Sequence, residues 1–300
     1  MVITQERQKV TAKDFKSSQK STWCPGCGDF GIQSALQTAL INSGIAPWQV
    51  LLVSGIGCGS KLPDYINANG YMTLHGRGTT IACGAHLANP KLVTISIGGD
   101  GDSLGMGLGH AVHNMRRNMD IVQIIENNEV YGLTKGQYSP TSKRGFRTTT
   151  SPEGAIEFAV NPLAIGLAAG ATFIGRGFSG DPKFTADIIQ QALEHKGYAL
   201  VEVLQTCPSY NKLQSTDWYK EYSYKVLEEN ANYNCQDPLQ AFELALKDDG
   251  RYPMGILYKN DNRPTYIEQV PAYKESQTPI IERPLKIEAE FFANLKKSYI

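Results

Sequence analysis

Gly98-Gly99-Asp100-Gly101-Asp102-Ser103-Leu104 and Glu126-Asn127-Asn128-Glu129-Val130-Tyr131-Gly132-Leu133-Thr134-Lys135-Gly136-Gln137 are the two halves of the stretch that decides how this chain folds. An apolar run, Leu92-Val93-Thr94-Ile95-Ser96-Ile97, leads into the first half, and Ile121-Val122-Gln123-Ile124-Ile125 leads into the second. Short runs so rich in Ile and Val predict parallel strands buried on both faces. The pattern delivers Asp100 and Asn128 to one end of a sheet. Open α/β folds bind ligands at that end, beyond the carboxyl termini of the strands. A carboxylate beside a carboxamide suits a hard cation such as Mg2+, which takes oxygen ligands and keeps phosphate oxygens in its shell. The glycines let the backbone approach a phosphate, and a helix starting near Ser103 aims its free N–H groups and positive dipole end at it.

The flanking segments repeat the alternation. Trp48-Gln49-Val50-Leu51-Leu52-Val53 predicts a strand that runs into Ser54-Gly55-Ile56-Gly57-Cys58-Gly59-Ser60-Lys61, which places Cys58 in the same layer as Asp100 and Asn128. Lys61 opens the next short helix, either as a solvated lysine or as a cation facing a substrate carboxylate. After a short strand near 71–74, the turn His75-Gly76-Arg77-Gly78 offers several donors to an anion. The helix near 80–87 contains Cys83, which reads as a buried apolar side chain. Gly105, Gly107 and Gly109 weaken the helix after Asp102 unless a cofactor or a neighbouring subunit packs on it. His110 and His113 lie on that helix without a third ligand and are not read as a metal pair.

Downstream, residues 138–150 form a polar, basic loop of the kind that binds ligands or partners. Helices are expected at 161–169, 182–195 and 238–246, and strands at 171–175, 198–204 and 255–258. The expectation is a single three-layer α/β/α domain over 1–300 with a mainly parallel sheet. It has an N-terminal arm (1–20) and a C-terminal extension from about 210 to 300.

The 300 residues carry 29 basic and 29 acidic side chains, so net charge offers no case for nucleic acid or an anionic membrane surface. No apolar run reaches the roughly 20 residues that a membrane span needs. A soluble, cytoplasmic protein is expected, and in that compartment the six cysteines at 24, 27, 58, 83, 207 and 235 point to a metal or redox site rather than disulfides. In Trp23-Cys24-Pro25-Gly26-Cys27-Gly28-Asp29 the Pro and Gly favour a tight turn with both thiols facing one point, and Asp29 is placed to cap a helix over 30–42. A thioredoxin-type dithiol would follow a strand, whereas the residues before Cys24 are polar. Cys24, Cys27, Cys58 and Cys207 are expected to converge at the edge of the site; Cys235 is counted as structural. Sulfur ligation means zinc or an iron–sulfur cluster. One close pair with two distant singletons is unlike the two close pairs usual in structural zinc sites.

Taken in order, Trp23-Cys24-Pro25-Gly26-Cys27-Gly28, Gly55-Ile56-Gly57-Cys58, His75-Gly76-Arg77, Gly99-Asp100-Gly101-Asp102 and the run 127–137 resemble the β subunit of the two-subunit 2-oxoacid:ferredoxin oxidoreductases, over about residues 15–260. The resemblance implies a thiamine diphosphate-binding fold of the diphosphate-module type. Asp100, Asn128 and the carbonyl of Val130 would hold Mg2+. Gly101, Asp102, Gly132 and Leu133 would line the diphosphate. Ile56, Gly57, Cys58, Gly59 and His75 would contact the cofactor from neighbouring strands, and Cys24, Cys27, Cys58 and Cys207 would ligate one [4Fe–4S] cluster. Lys61 is the candidate for the substrate carboxylate, with Lys135 a second cation near the cofactor. The implied reaction is coenzyme A-dependent oxidative decarboxylation of a 2-oxoacid such as pyruvate or 2-oxoglutarate, with electrons leaving to ferredoxin. The carboxylate that activates thiamine belongs to a pyrimidine-binding domain, so the resemblance implies a larger α subunit, as αβ or paired αβ. Two rivals remain. One is a non-redox thiamine diphosphate enzyme subunit whose cysteines hold zinc, and the other is a four-cysteine zinc interaction module.

Overall fold

The computed structural model describes residues 9–284 and 289–299; the first eight residues of the expected arm lie outside them. Among the described residues ten strands form: β1 (Val50–Ser54), β2 (Asn69–Met72), β3 (Val93–Gly99), β4 (Val122–Asn127), β5 (Val130–Tyr131), β6 (Gln137–Tyr138), β7 (Phe173–Phe178), β8 (Ala199–Leu204), β9 (Ser223–Lys225) and β10 (Tyr252–Lys259). Eight of them make one sheet in the order β2-β1-β3-β4-β8-β7-β10-β9, parallel throughout except for β10 against β7. From β1 the chain steps outward to β2, then returns to the other side of β1 as β3. That reversal opens a crevice at the carboxyl ends of β1 and β3, the place where such sheets take ligands.

Alternation along the strands sets the layers. Leu52, Ile95, Ile124 and Val201 join a core with Ile32, Leu36 and Leu40 of helix α1 (Asp29–Asn42) and Ile188 and Ile189 of helix Pro182–Glu194. Their neighbours Val53, Ile125, Ile174 and Leu200 face the opposite core, with Ala82 of helix Gly78–Ala88 and Ala111 and Met115 of helix Leu108–Arg117. Helices thus cover both faces, as the doubly buried apolar runs require. The region beyond Tyr210, expected as an extension, supplies β9 and β10 to the sheet. Phe15, fully buried, pins the N-terminal arm, and its carbonyl accepts from the Asn67 N–H at 3.0 Å. Among the described residues no helix is long and apolar enough to cross a membrane.

Candidate active site

One pocket sits at the carboxyl ends of four adjacent strands. Ile56, Gly57, Cys58 and Gly59 reach it after β1, Gly99, Asp100, Gly101 and Asp102 after β3, Glu126, Asn128 and Val130 from β4 and its turn, and Gln205 after β8. His75, Tyr131, Gly132, Leu133 and Thr134 complete the wall. Twelve of the sequence-predicted residues therefore share one cavity.

Asp100 is buried, and its Oδ2 accepts from the Ser139 hydroxyl and, at 2.6 Å, from that of Thr141. Burial pushes its pKa up, and these two hydroxyls oppose the rise. Thr141 also meets Asn127 Oδ1 at 2.8 Å, and Ser142 donates to the Glu129 carbonyl at 2.5 Å. The start of the polar loop is thus packed against the acidic turn of the candidate site. Glu129 adopts a left-handed conformation (φ 57°), a strained state for a residue with a side chain. This sharp turn follows Asn128, whose Oδ1 accepts from the Val130 N–H at 3.0 Å.

Asp102 works on the backbone around it. Its Oδ1 accepts from Ile56 N–H (2.9 Å) and Gly76 N–H (2.7 Å), while His75 Nδ1 stands 3.8 Å away. Gly55 exists because a Cβ there would lie 2.1 Å from this carboxylate. After Asp100 the chain makes a wide π turn, Gly101–Met106, before helix Leu108–Arg117. Such turns recur at functional sites. What packs on the glycines is internal. A Cβ at Gly101 would fall 2.1 Å from the Tyr131 ring and one at Gly105 2.5 Å from its hydroxyl, while Gly109 has open space. His110 and His113 pair with Arg77 and Arg116.

The cysteines come from three segments stitched together beside this pocket. Cys27 N–H bonds to the Cys24 carbonyl at 3.0 Å, closing a turn that needs Gly26 at φ 80°. Trp23 Nε1 donates to the Cys58 carbonyl at 2.7 Å, and Gly28 N–H to the Thr206 carbonyl at 3.0 Å. Ser209 Oγ lies 3.3 Å from Cys24 Sγ. Gly132 faces both Cys58 and Cys207, with its missing Cβ position 3.6 and 3.8 Å from their sulfurs. Burial raises the pKa of Cys58 to about 11 and moves Cys27 and Cys207 in the same direction. Cys24 is exposed, Cys83 packs against the opposite core from Cys27 and Cys58, and the Cys235 carbonyl accepts from Lys259 N–H. Among the described residues no three His, Cys, Asp or Glu side chains converge closely enough to hold a single metal ion. Gly132, without a side chain, leaves open the space beside Cys58 and Cys207.

Three placements depart from the sequence reading. Asp29 is the first residue of α1 and makes no cap; fully buried, it accepts from the Gln205 carboxamide. Lys61 donates to Thr22 Oγ1 at 3.1 Å beside the cysteine turn and is not part of the pocket wall. Lys135, left-handed and exposed, borders a separate outer groove with Phe146, Arg147 and Tyr210. Five wall residues, Gly99, Glu126, Tyr131, Thr134 and Gln205, were given no role from the sequence, and two of them stand out. Glu126 is buried, with both carboxylate oxygens unpartnered, and Gln205 links several groups below. Each is a polar residue at the end of an apolar strand, and that position was the available signal.

Residues 55–203 match the family described as thiamine pyrophosphate enzyme, C-terminal TPP binding domain, and residues 207–275 match the C-terminal family of the pyruvate ferredoxin oxidoreductase beta subunit. A 2-oxoacid:ferredoxin oxidoreductase 1 subunit beta from Aeropyrum pernix is 40% identical over a 310-residue alignment that covers 94% of this chain and 97% of that one. The 2-oxoacid:ferredoxin oxidoreductase subunit beta of Saccharolobus solfataricus is 44% identical, covering 83% of this chain and 85% of its own. Among solved structures, the 2-oxoglutarate:ferredoxin oxidoreductase from Magnetococcus marinus with 2-oxoglutarate, coenzyme A and succinyl-CoA bound superposes with a TM-score of 0.89. It is 35% identical, and 97% of each chain is covered. With kinship over nearly its whole length and a shared backbone, the chain belongs to the β subunits of the 2-oxoacid:ferredoxin oxidoreductases.

Proposed function

We propose that this β subunit holds thiamine diphosphate, Mg2+ and one [4Fe–4S] cluster in a cytoplasmic complex with a larger α subunit. The complex converts a 2-oxoacid and coenzyme A to acyl-CoA and CO2 and passes electrons to ferredoxin. The observation that carries the reading is the gathering of Asp100, Asn128, Val130 and three glycine-bearing loops in one pocket, with four cysteines at its edge.

Asp100, Asn128 Oδ1 and the Val130 carbonyl would hold Mg2+, an all-oxygen set fit for a hard cation that keeps phosphate in its shell. The Ser139 and Thr141 hydroxyls fix the Asp100 carboxylate for that task. Gly101, Gly132 and Leu133 would border the diphosphate. Asp102 holds the 56 and 76 loops in place behind it, so that Ile56, Gly57, Gly59 and His75 front the pocket. Thiamine diphosphate, when bound, supplies the nucleophilic carbon that attacks a 2-oxo group and allows CO2 to leave. Cys24, Cys27, Cys58 and Cys207 would ligate the cluster, and exposed Cys24 marks the side where ferredoxin docks. Lys61, which donates to Thr22 beside the cysteine turn and outside the pocket wall, would orient a second carboxylate that extends past the cofactor, and Lys61→Ala should raise KM for a dicarboxylic 2-oxoacid about tenfold.

The test is anaerobic purification with the co-expressed α subunit, iron and sulfide analysis, and a visible spectrum before and after adding 2-oxoacid and coenzyme A. A brown protein that bleaches on substrate is the expected result. A colourless protein that retains zinc and no iron would overturn the redox reading in favour of a non-redox thiamine enzyme.

A further inference from the structure

Gln205 is buried one residue past β8, where the pocket and the cysteine turn meet. Its carboxamide has two differently occupied ends. Oε1 accepts from Asn128 Nδ2 at 2.5 Å, while Nε2 donates to Asp29 Oδ1 and approaches Cys27 Sγ at 3.4 Å. The orientation follows from the network. Val130 N–H can only donate, so Asn128 must present Oδ1 to it and turn Nδ2 toward Gln205. Gln205 must answer with its oxygen, which leaves its NH2 facing Asp29 and the Cys27 sulfur. Gly28 makes the room, since a Cβ there would lie 2.7 Å from Gln205 Cγ.

We infer that Gln205 is a positioning residue that couples occupancy of the Mg2+–diphosphate site to the reduction potential of the cluster held at Cys27. The inference rests on the function proposed above. A cation on Asn128 Oδ1 polarises that amide, strengthening its N–H donation to Gln205 Oε1. Gln205 then donates more strongly to the sulfur, as chains of hydrogen bonds reinforce one another. An N–H donated to a cluster ligand stabilises the reduced, more negative state and raises the potential. By linkage, a reduced cluster tightens the Mg2+–cofactor site in return. Every atom of this route belongs to the β chain itself, and none comes from the larger partner.

The experiment is an EPR-monitored redox titration of the αβ complex with and without Mg2+ and thiamine diphosphate, in the natural protein, Gln205→Met and Ser209→Ala. In the natural protein, adding Mg2+ and cofactor should raise the reduced-to-oxidised ratio at a fixed potential about tenfold, or 59 mV for one electron. Gln205→Met, similar in length but without a donor, should lower the potential and abolish that dependence. Ser209→Ala loses only the hydroxyl beside Cys24; it should lower the potential and keep the dependence. A natural-protein potential indifferent to Mg2+ and cofactor overturns the inference without any variant, as does a Gln205→Met complex that keeps the full response. A complex without iron overturns the proposed function itself, so the two failures are distinguishable.

Discussion

Side chains that fix other side chains govern the site at the residue scale. Asp100 carries the charge, but the rotamer that presents it is set by Ser139 and Thr141. Thr141→Val keeps shape and loses the donor, leaving a buried carboxylate short of one partner. Outer-shell losses of this kind weaken metal affinity about 10–100-fold. Calorimetric titration of the αβ complex with Mg2+ and thiamine diphosphate should read that loss, and unchanged affinity would deny Thr141 the role. Gly101 is a second such point. Its missing Cβ is occupied by the Tyr131 ring, so Gly101→Ala forces overpacking at a cost of about 1–3 kcal/mol, readable as a lower urea midpoint. Asp100 and Asn128 were legible in the sequence because short apolar runs lead straight into them. Ser139, Thr141 and Tyr131 were not, because a loop's polar residues carry no period that tells which of them turn inward. Asp29 misled for a related reason. A carboxylate before a helix reads as a cap, and only the fold brings Gln205 against it.

Strands were most legible where an unbroken apolar run marks both faces as buried; β7, equally buried, was expected at 171–175 but spans Phe173–Phe178, because Gly175, Arg176 and Gly177 break its apolar run. β3, β4 and β8 begin within one residue of their apolar runs, since a doubly covered strand has little room for polar residues. The π turn at Gly101–Met106 was invisible, because a three-glycine helix start looks the same whether its turns are wide or tight. Deep in the sheet, β7 and β8 share a charge pair that apolar patterning could not announce. Arg176 Nε donates to Glu202 Oε2 at 2.7 Å, and Glu202 Oε1 accepts from Asn127 Nδ2 at 2.6 Å. The chain of contacts runs on through Thr141 to Asp100, tying the sheet interior to the pocket. Arg176→Met leaves a buried carboxylate without its cation, a loss of about 3–5 kcal/mol. Arg176→Met combined with Glu202→Leu should recover much of it. Urea unfolding with an unchanged slope would check both, and a single variant within about 1 kcal/mol of the natural protein would show the pair to be dispensable.

At the scale of the whole molecule, pH sets two groups of buried residues against each other. Burial raises the pKa of Asp100, Glu126 and Glu129, so in the folded chain they take up protons earlier on acidification than in the unfolded one. Their contribution to stability is fully present at low pH and is lost as pH rises through their folded pKa values. His195 has the opposite sign. Its side chain is enclosed where the end of helix Pro182–Glu194, Thr172 and Asp261 meet, with Nε2 2.9 Å from Thr172 Oγ1 and Nδ1 3.2 Å from Asp261 Oδ1. Burial drives its pKa down to about 4, and Asp261 offsets this only in part. Between 6.5 and about 4 the unfolded chain binds a proton that the folded chain refuses, so this contribution shrinks as pH falls. A gap of about 2.5 units at roughly 1.36 kcal/mol each amounts to about 3 kcal/mol. The carboxyls mask it in the natural protein, so the measurement must be differential. His195→Gln retains a side chain able to bond Thr172 without titrating. The stability of the natural chain relative to this variant should fall by about 3 kcal/mol from pH 7 to pH 4, measured by urea unfolding. A difference constant across that range would mean that His195 titrates alike in both states, and that the junction it fills is open to water.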